Sequence, residues 1–232
     1  MKTVDNICNL PPLDAGTIQI WGANVREMLG QIGALRAILS APEAAKADRY
    51  HRETDRQSSI IARGALRVLL SGFTGTPASE IEFGYCENGK PHVVDSEVEF
   101  NVSHSGEWVV LAFGRDRAIG VDIEQIKRTM DVKAISERYY SPRERDWVAA
   151  SGDPCAVFFR LWARKEAYVK ACGSTLFTEL KRMSVPMEDG AERNGWFFHS
   201  IESGSKYAAA VVTNRPLAGM PCYDFGGLKW EN

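Results

Sequence analysis

The stretch "GVDIEQ", residues 120 to 125, places two carboxylates one residue apart between branched aliphatic side chains. In a β-strand, residues i and i+2 point to the same face of the sheet. Asp122 and Glu124 therefore project side by side, whereas Val121 and Ile123 belong in a core. Two like charges this close repel unless a positive charge lies beside them, and a hard cation such as Mg²⁺ would supply one. The alternative is the solvent-exposed polar face of an edge strand.

A second stretch, "LWARKEAYVKACG" (161–173), carries a third carboxylate on a predicted helix. Glu166 and Lys170 are i, i+4 neighbours and lie on one helix face. The glutamate is placed to complete a three-carboxylate site, and the lysine to contact a phosphate oxygen beside the metal. The alternative is an ordinary surface ion pair, which stabilises a helix by a few tenths of a kcal/mol.

The stretch "FNVSHSGEWVVLAF" (100–113) predicts two strands with a short break and places Ser103 and His104 near that break. Adjacent side chains on a strand point to opposite faces, and no matching acid is apparent, so we reject a serine-hydrolase triad. Histidine has an ordinary pKa of about 6.5 and can donate a hydrogen bond to a bound phosphate. The alternative for His104 is a structural histidine at the start of a strand.

Two similar capping signatures precede the longest helical patterns, "SAPE" (40–43) and "SPRE" (141–144). Each has serine at the N-cap, proline in the first turn and glutamate three residues after the serine, as in a capping box. The helical stretches that follow are similar in length and run from Ala41 to Gly72 and from Pro142 to Gly173.

Each half then reaches a short strand-like run, at 107–113 and at 206–212. We therefore predict an α/β (α+β) fold with two similar helix-plus-antiparallel-sheet lobes, related by pseudo-twofold symmetry in one chain. The predicted lobes are residues 1–117 and 118–232. The alternative is that any α/β protein offers two such matches by chance.

The composition excludes several classes of protein. The chain has 232 residues and a net charge of −2, so we expect no nucleic-acid partner. Its five cysteines are odd in number and include no C-x-x-C pair, which favours a reducing compartment over a disulfide framework or zinc site. The N-terminus shows no signal peptide, and the longest apolar run, Trp108–Phe113, is too short to span a bilayer. We expect a cytoplasmic monomer without a membrane partner.

Four motifs occur in an order that carries a family resemblance: "GKP" (89–91), "FNVSHS" (100–105), "GVDIE" (120–124) and "WARKEAYVK" (162–170). Over about residues 40 to 215, the chain resembles the 4′-phosphopantetheinyl transferase superfamily, in its larger pseudodimeric, surfactin-synthetase-activating class. The resemblance implies magnesium-dependent transfer of 4′-phosphopantetheine from coenzyme A to a serine of an apo acyl or peptidyl carrier protein. Adenosine 3′,5′-bisphosphate is the implied second product, and the cofactor is implied to lie in a cleft between the lobes.

The resemblance assigns roles to the acids and to the lysine already singled out. Asp122, Glu124 and Glu166 correspond to the metal ligands, and Glu166 also corresponds to the general base. Lys170 corresponds to the lysine that contacts the pyrophosphate, so Glu166 and Lys170 are the implied catalytic residues.

The resemblance also implies a set of coenzyme A contacts besides Lys170. These are Lys46, Arg49, Ser59, Lys90, Ser103 and His104, the last two with Lys90 in the region of the 3′-phosphate. Two departures occur. Ser58 stands where the family often has a basic residue, and of the two lysines usual on the first helix only Lys46 aligns, with Arg49 as a stand-in.

A carrier protein would dock through an apolar and basic rim, for which "FFRLW" (158–162) and residues 127–145 are candidates. The sequence leaves open whether the carrier serves fatty acid, polyketide or nonribosomal peptide synthesis. Two other functions remain: a different magnesium enzyme, such as a nucleotidyl transferase or phosphohydrolase, and a non-catalytic carrier-binding module. A repulsive cluster of three acids argues against the non-catalytic module.

Overall fold

The computed structural model describes residues 2–3, 7–173 and 183–228. The chain divides into two compact units, which are Met1–Asp116 with Leu217–Asn232, and Arg117–Pro216. The predicted second lobe, 118–232, included the residues after Pro216, which the structure groups with the first unit.

Runs of helices and runs of strands follow one another along the described part of the chain. The α-helices are α1 Ile32–Ala37, α2 Ala41–Asp48, α3 Glu53–Thr74, α4 Val132–Tyr139, α5 Pro142–Ala150 and α6 Pro154–Cys172. The strands are β1 Lys2–Thr3, β2 Ile18–Asn24, β3 Phe83–Tyr85, β4 Pro91–Val93, β5 Val98–Ser105, β6 Trp108–Arg115, β7 Ile119–Gln125, β8 Ala191–Arg193, β9 Trp196–Ile201, β10 Tyr207–Thr213 and β11 Cys222–Asp224.

The first unit has a five-stranded sheet in the order β1-β11-β2-β6-β5. Strand β2 pairs antiparallel with β6, whereas β11 returns from the end of the chain and pairs parallel with β2. This pairing is why the C-terminal residues belong to the first unit. A separate hairpin, β3–β4, turns at Gly89, whose φ of 78° lies in the left-handed region that glycine tolerates.

The second unit has a four-stranded sheet in the order β7-β10-β9-β8, so β7 is an edge strand of the described sheet. The order β2-β6-β5 in the first unit matches β7-β10-β9 in the second. Each sheet packs against a long helix, α3 in the first unit and α6 in the second. The prediction of two similar helix-plus-antiparallel-sheet lobes is confirmed.

Each predicted helical stretch consists of two helices, because the chain leaves the helical conformation after Asp48 and after Ala150. Both predicted capping boxes form, at Ser40 and at Ser141. The predicted end at Gly173 is confirmed, since α6 ends there with glycine at a φ of 64°. The predicted end at Gly72 is wrong.

Helix α3 continues through Gly72 to Thr74 and ends at Gly75, whose φ is 76°. Gly72 serves packing instead. A Cβ atom at Gly72 would lie 2.4 Å from the Cδ1 atom of Leu10, so the missing side chain makes room for that leucine.

None of the helices in the described ranges combines the length and the apolar character that crossing a membrane requires. All five cysteines lie in those ranges, and none of them forms a disulfide bond there.

Candidate active site

The two acids of β7 point to the face of the sheet that α6 covers. Asp122 pairs across the sheet with Ala210, and Glu124 with Ala208. Paired residues share a face, and both alanines belong to the core cluster that includes residues of α6. Asp122 is only 4% exposed. It therefore does not lie on a solvent-exposed polar face, the alternative that the sequence left open, although β7 is an edge strand.

Gly120 allows β7 and α6 to lie unusually close together. A Cβ atom at position 120 would lie 1.9 Å from the carbonyl oxygen of Ala167 and 2.3 Å from the amide nitrogen of Ala171. Both are backbone atoms of α6, so no side chain fits there. This contact brings the helix turn that carries Glu166 and Lys170 against the strand that carries Asp122. A glycine inside a strand pattern was the sequence signal for such an approach.

Lys170 lies beside Asp122. Its Nζ atom donates to the Oδ1 atom of Asp122 at 2.7 Å and to the carbonyl oxygen of Val121 at 3.2 Å. The lysine therefore supplies positive charge to a buried carboxylate, which would be costly to bury without it.

The three predicted acids act on one another. The pKa of Glu166 is raised to about 7. Burial is the main cause, the negative charges of Asp122 and Glu124 add to it, and the positive charge of Lys170 opposes it. A carboxyl group with a pKa near neutrality exchanges a proton readily at physiological pH, as a general base must.

The described residues contain no group of three or more histidines, cysteines, aspartates or glutamates placed to hold a metal ion by themselves. Magnesium rarely uses such a cage, and it commonly binds one or two carboxylates together with substrate phosphates and water. The donor set of Asp122, Glu124 and Glu166 consists of hard, mutually repelling oxygen ligands. This chemistry fits magnesium.

A buried ion pair anchors α6 next to the acids. Lys165 and Glu144 have fully buried side chains, and their Nζ and Oε2 atoms are 3.0 Å apart. Glu144 also accepts from the backbone N–H of Val185 at 2.9 Å, and Lys165 donates to the carbonyl oxygen of Met183. The sequence analysis missed this pair. The glutamate was visible as the last residue of a capping box, but its second partner was not.

The aromatic residues of "FFRLW" do not form an exposed rim. Phe158 and Phe159 are 2% and 3% exposed and belong to the core of the second unit. The expectation that these two phenylalanines dock a carrier protein is wrong, because they fill that core, whereas Trp162 is only partly buried.

A pocket of about 410 Å³ lies within the first unit. Four of the predicted coenzyme A residues line it, namely Lys46, Arg49, Ser59 and His104. Lys90 lies between Gly89 and Pro91, which both line the pocket.

Two other serines lie away from this pocket: Ser103, a predicted coenzyme A residue, and Ser58, which stands where the family often has a basic residue. Ser103 is 6% exposed and points to the face of β5 opposite His104, since adjacent strand residues alternate. Ser58 is 6% exposed, and its hydroxyl donates to the carbonyl oxygen of Thr54 at 2.9 Å. Neither serine is among the residues that line the pocket.

The pocket residues that the sequence analysis missed include Glu43, Arg63 and Tyr85. Arg63 follows Ser59 by four residues and so lies on the same face of α3. That spacing was the available signal for Arg63. Tyr85 lies on the β3–β4 hairpin, and no sequence pattern placed this short hairpin beside α3.

Two family models together match most of the chain. Residues 26–115 match the model described as "4'-phosphopantetheinyl transferase, N-terminal", and residues 118–214 match the "4'-phosphopantetheinyl transferase superfamily". A 4'-phosphopantetheinyl transferase of Bacillus pumilus, psf-1, is 33% identical over 87% of this chain and 90% of its own length. The transferase ffp of Bacillus subtilis is 31% identical over 86% of this chain and 93% of its own. The 4'-phosphopantetheinyl transferase HetI of a Nostoc strain is 33% identical over 67% of this chain and 68% of its own length.

Proposed function

The chain belongs to the 4′-phosphopantetheinyl transferase superfamily, and from that premise we propose that it transfers 4′-phosphopantetheine from coenzyme A to a serine of an apo acyl or peptidyl carrier protein. The released product is adenosine 3′,5′-bisphosphate. The observation that carries the proposal is the meeting of Asp122, Glu166 and Lys170 where α6 lies against Gly120.

We assign the phosphoryl-transfer chemistry to the second unit. Glu166 accepts the proton of the carrier serine while the serine oxygen attacks the phosphorus next to pantetheine. Lys170, which donates to Asp122 and to the carbonyl oxygen of Val121, brings its ammonium charge to a pyrophosphate oxygen and stabilises the leaving phosphate. Because the nucleophile comes from the carrier, the chain needs no activated serine or cysteine of its own.

We assign magnesium to Asp122, Glu124 and Glu166. When bound, the ion neutralises negative charge on the pyrophosphate of coenzyme A. Asp122 is held in place by its ion pair with Lys170. Glu166 is held by α6, in which the preceding residue, Lys165, forms an ion pair with Glu144. These contacts fix the two acids before substrate binds.

We assign coenzyme A contacts to the pocket of the first unit. Lys46, Arg49 and His104 line it with Ser59, and together they offer the cationic and hydroxyl donors that a phosphate requires. We also propose that the enzyme works as a monomer in the reducing cytoplasm, and five cysteines without a disulfide bond in the described ranges agree with that compartment.

The proposal is tested by incubating the protein with coenzyme A, magnesium and a panel of apo-carrier proteins, with intact-mass spectrometry of each carrier. We expect at least one carrier to gain one phosphopantetheine group. Hydrolysis of coenzyme A without carrier modification would establish the phosphohydrolase alternative, and magnesium-independent carrier binding without turnover would establish the binding module.

Glu166→Gln sharpens this test. We expect kcat to fall about 10²- to 10⁴-fold, because the amide cannot accept the serine proton. Glu202→Gln is the matched control, since Glu202 is an exposed glutamate of the same unit. A Glu166→Gln enzyme with wild-type kcat at saturating magnesium would contradict the role of this carboxylate.

A further inference from the structure

The pocket of the first unit contains an arginine, Arg63, to which the family resemblance gives no role. Lys46 lies in α2 and Arg49 directly after it, whereas Arg63 lies in α3. Three cationic side chains and one acid, Glu43, therefore line this wall.

Arg63 is held in one orientation. Its Nε atom lies 2.6 Å from the Oε1 atom of Glu43, and its guanidinium carbon lies 4.0 Å from the centre of the Phe83 ring. The side chain is 21% exposed. Stacking and one fixed edge reduce the entropy that an arginine loses when it binds an anion.

The terminal nitrogens of Arg63 keep donors for a ligand. Within the described residues, the hydrogen bond assigned to them is a long contact of 3.5 Å to the Tyr85 hydroxyl. A guanidinium has five N–H donors, of which the Nε–H group faces Glu43. The remaining edge suits the paired oxygens of a phosphate.

Glu43 does not cancel the positive charge of the pocket. Its Oε2 atom accepts from the backbone N–H of Ser40 and from the Nε atom of Arg67, both at 2.8 Å. Arg67 is only 2% exposed and balances the charge of Glu43 from behind the pocket wall. The positive charges of Arg63, Lys46 and Arg49 therefore remain available to an anion.

Arg63 also lies one helical turn after Ser59, which lines the same pocket. The preceding residue, Ser58, stands where the family often has a basic side chain, but it is buried and bonded to Thr54. The chain thus lacks a cation at position 58 and presents one on the pocket side of α3 at position 63.

We propose that Arg63 binds the 3′-phosphate of coenzyme A, and this inference rests on the proposed function. A phosphomonoester carries up to two negative charges and is best matched by a fixed, planar guanidinium among other cations. Arg63 would thereby make the enzyme select coenzyme A over its 3′-dephospho form.

The test compares adenosine 3′,5′-bisphosphate with adenosine 5′-monophosphate as calorimetric ligands, which differ only in the 3′-phosphate. For Arg63→Met we expect the Kd of the bisphosphate to rise about 10- to 100-fold, as for loss of a charge-assisted hydrogen bond. The Kd of the monophosphate should change less than about twofold. Arg63→Lys should lie between wild type and Arg63→Met, because it keeps the charge but loses the fork.

Arg26→Met is the matched control. Arg26 is also paired with a glutamate, Glu107, in the same unit, but its side chain is 76% exposed and it does not line the pocket. We expect its affinities for both ligands to match wild type. Thermal unfolding of every variant checks that it is folded, and Arg63→Lys preserves the ion pair with Glu43 if Arg63→Met does not fold.

Steady-state kinetics give an independent measurement. With Arg63→Met we expect a raised KM for coenzyme A, an unchanged kcat, and little change in KM for 3′-dephospho-coenzyme A. If Arg63→Met weakened binding of both ligands equally, or of neither, the inference about Arg63 would be overturned. The proposed function would still stand in that case if the wild-type enzyme modifies a carrier protein. A wild-type protein that discriminates the two nucleotides through Arg63 but modifies no carrier would uphold this binding role for the nucleotide and overturn the proposed transfer.

Discussion

Strands β2 and β7 occupy the same place in the two units, yet their helix-facing sides differ in chemistry. Each pairs antiparallel over seven residues with the last strand of a hairpin, β6 or β10. In β2 the fourth and sixth residues are Trp21 and Ala23, both in the core cluster that contains α3 residues. In β7 the same positions are Asp122 and Glu124.

The neighbouring strands account for much of this difference. In the first unit, β11 covers the free side of β2, and Tyr223 stacks on Trp21 with ring centres 4.8 Å apart. In the described sheet of the second unit, β7 is the edge strand. The same strand position can therefore carry a tryptophan that completes a hydrophobic core or a pair of acids. Which of the two it carries depends on the side chains of the strand and on whether another strand pairs with its outer edge.

Trp21→Asp is expected to have the largest effect, because it places the chemistry of β7 into the covered strand. Loss of a buried tryptophan costs about 3–5 kcal/mol, and an unpaired buried carboxylate adds to that cost. The first unit has no counterpart of Lys170 in contact with Trp21 among the described residues. We expect the free energy of unfolding to fall by more than about 5 kcal/mol, as measured by urea denaturation.

Trp21→Phe is the control, since it keeps an aromatic ring and should be much milder than the aspartate. If Trp21→Asp unfolded at the same urea concentration as Trp21→Phe, the two strands would tolerate the same side chains. The contrast between a sealed and an acid-bearing face would then be wrong.

Gly120→Ala tests the approach of α6 to β7 and should rank second. The added methyl group would collide with the backbone of Ala167 and Ala171, which cannot rotate away. We expect the free energy of unfolding to fall by about 3 kcal/mol, the upper end for an overpacked core. We also expect a slower transfer reaction, because Glu166 moves away from Asp122. Denaturant unfolding and the carrier assay measure the two effects.

Gly152→Ala is the matched control, because a Cβ atom there would meet nothing within 4 Å and its φ is not positive. We expect wild-type stability and activity for it. Equal behaviour of the two glycine variants would mean that the close approach at Gly120 does not position the acids.

The parts of the fold that depend on local patterns were predictable. Both capping boxes, the turn at Gly89 and the end of α6 at Gly173 follow from backbone and hydrogen-bonding preferences of a few residues. The side-by-side placement of Asp122 and Glu124 follows from strand alternation.

The parts that depend on distant contacts were not predictable. Gly72 resembles a helix end, but Leu10, far away in sequence, determines its role. The return of β11 to β2 is a pairing about 200 residues apart, and no local pattern encodes it.

The capping glutamates extend the comparison between the units. Glu43 and Glu144 each cap a helix and each bind a basic residue of the next long helix, Arg67 or Lys165. The pair in the second unit is fully buried, whereas Glu43 is 11% exposed and also contacts Arg63. Glu43 is therefore more accessible to solvent than Glu144, and its protonation can follow the pH of the solvent.

The smallest effect we predict is the acid sensitivity contributed by Glu43. Burial by itself raises the pKa of Glu43, but the hydrogen bond from Arg67, that from Ser40 and the charge of Arg63 hold it below its ordinary value. A carboxyl group whose pKa is lowered by folding stabilises the fold above its unfolded pKa, about 4.3 for glutamate. That contribution is lost as the pH falls through 4.3 toward the folded pKa.

We expect Glu43→Gln to be about 1–2 kcal/mol less stable than wild type at pH 7, with the difference shrinking below pH 4.3 as wild-type Glu43 is protonated. Thermal unfolding of both proteins between pH 3 and pH 7 measures this convergence. Glu53→Gln is the control, because Glu53 pairs with Arg56 on the exposed surface, where solvent screens the interaction. A constant gap between Glu43→Gln and wild type across this range would show that packing, and not the ionised carboxylate, accounts for the role of Glu43.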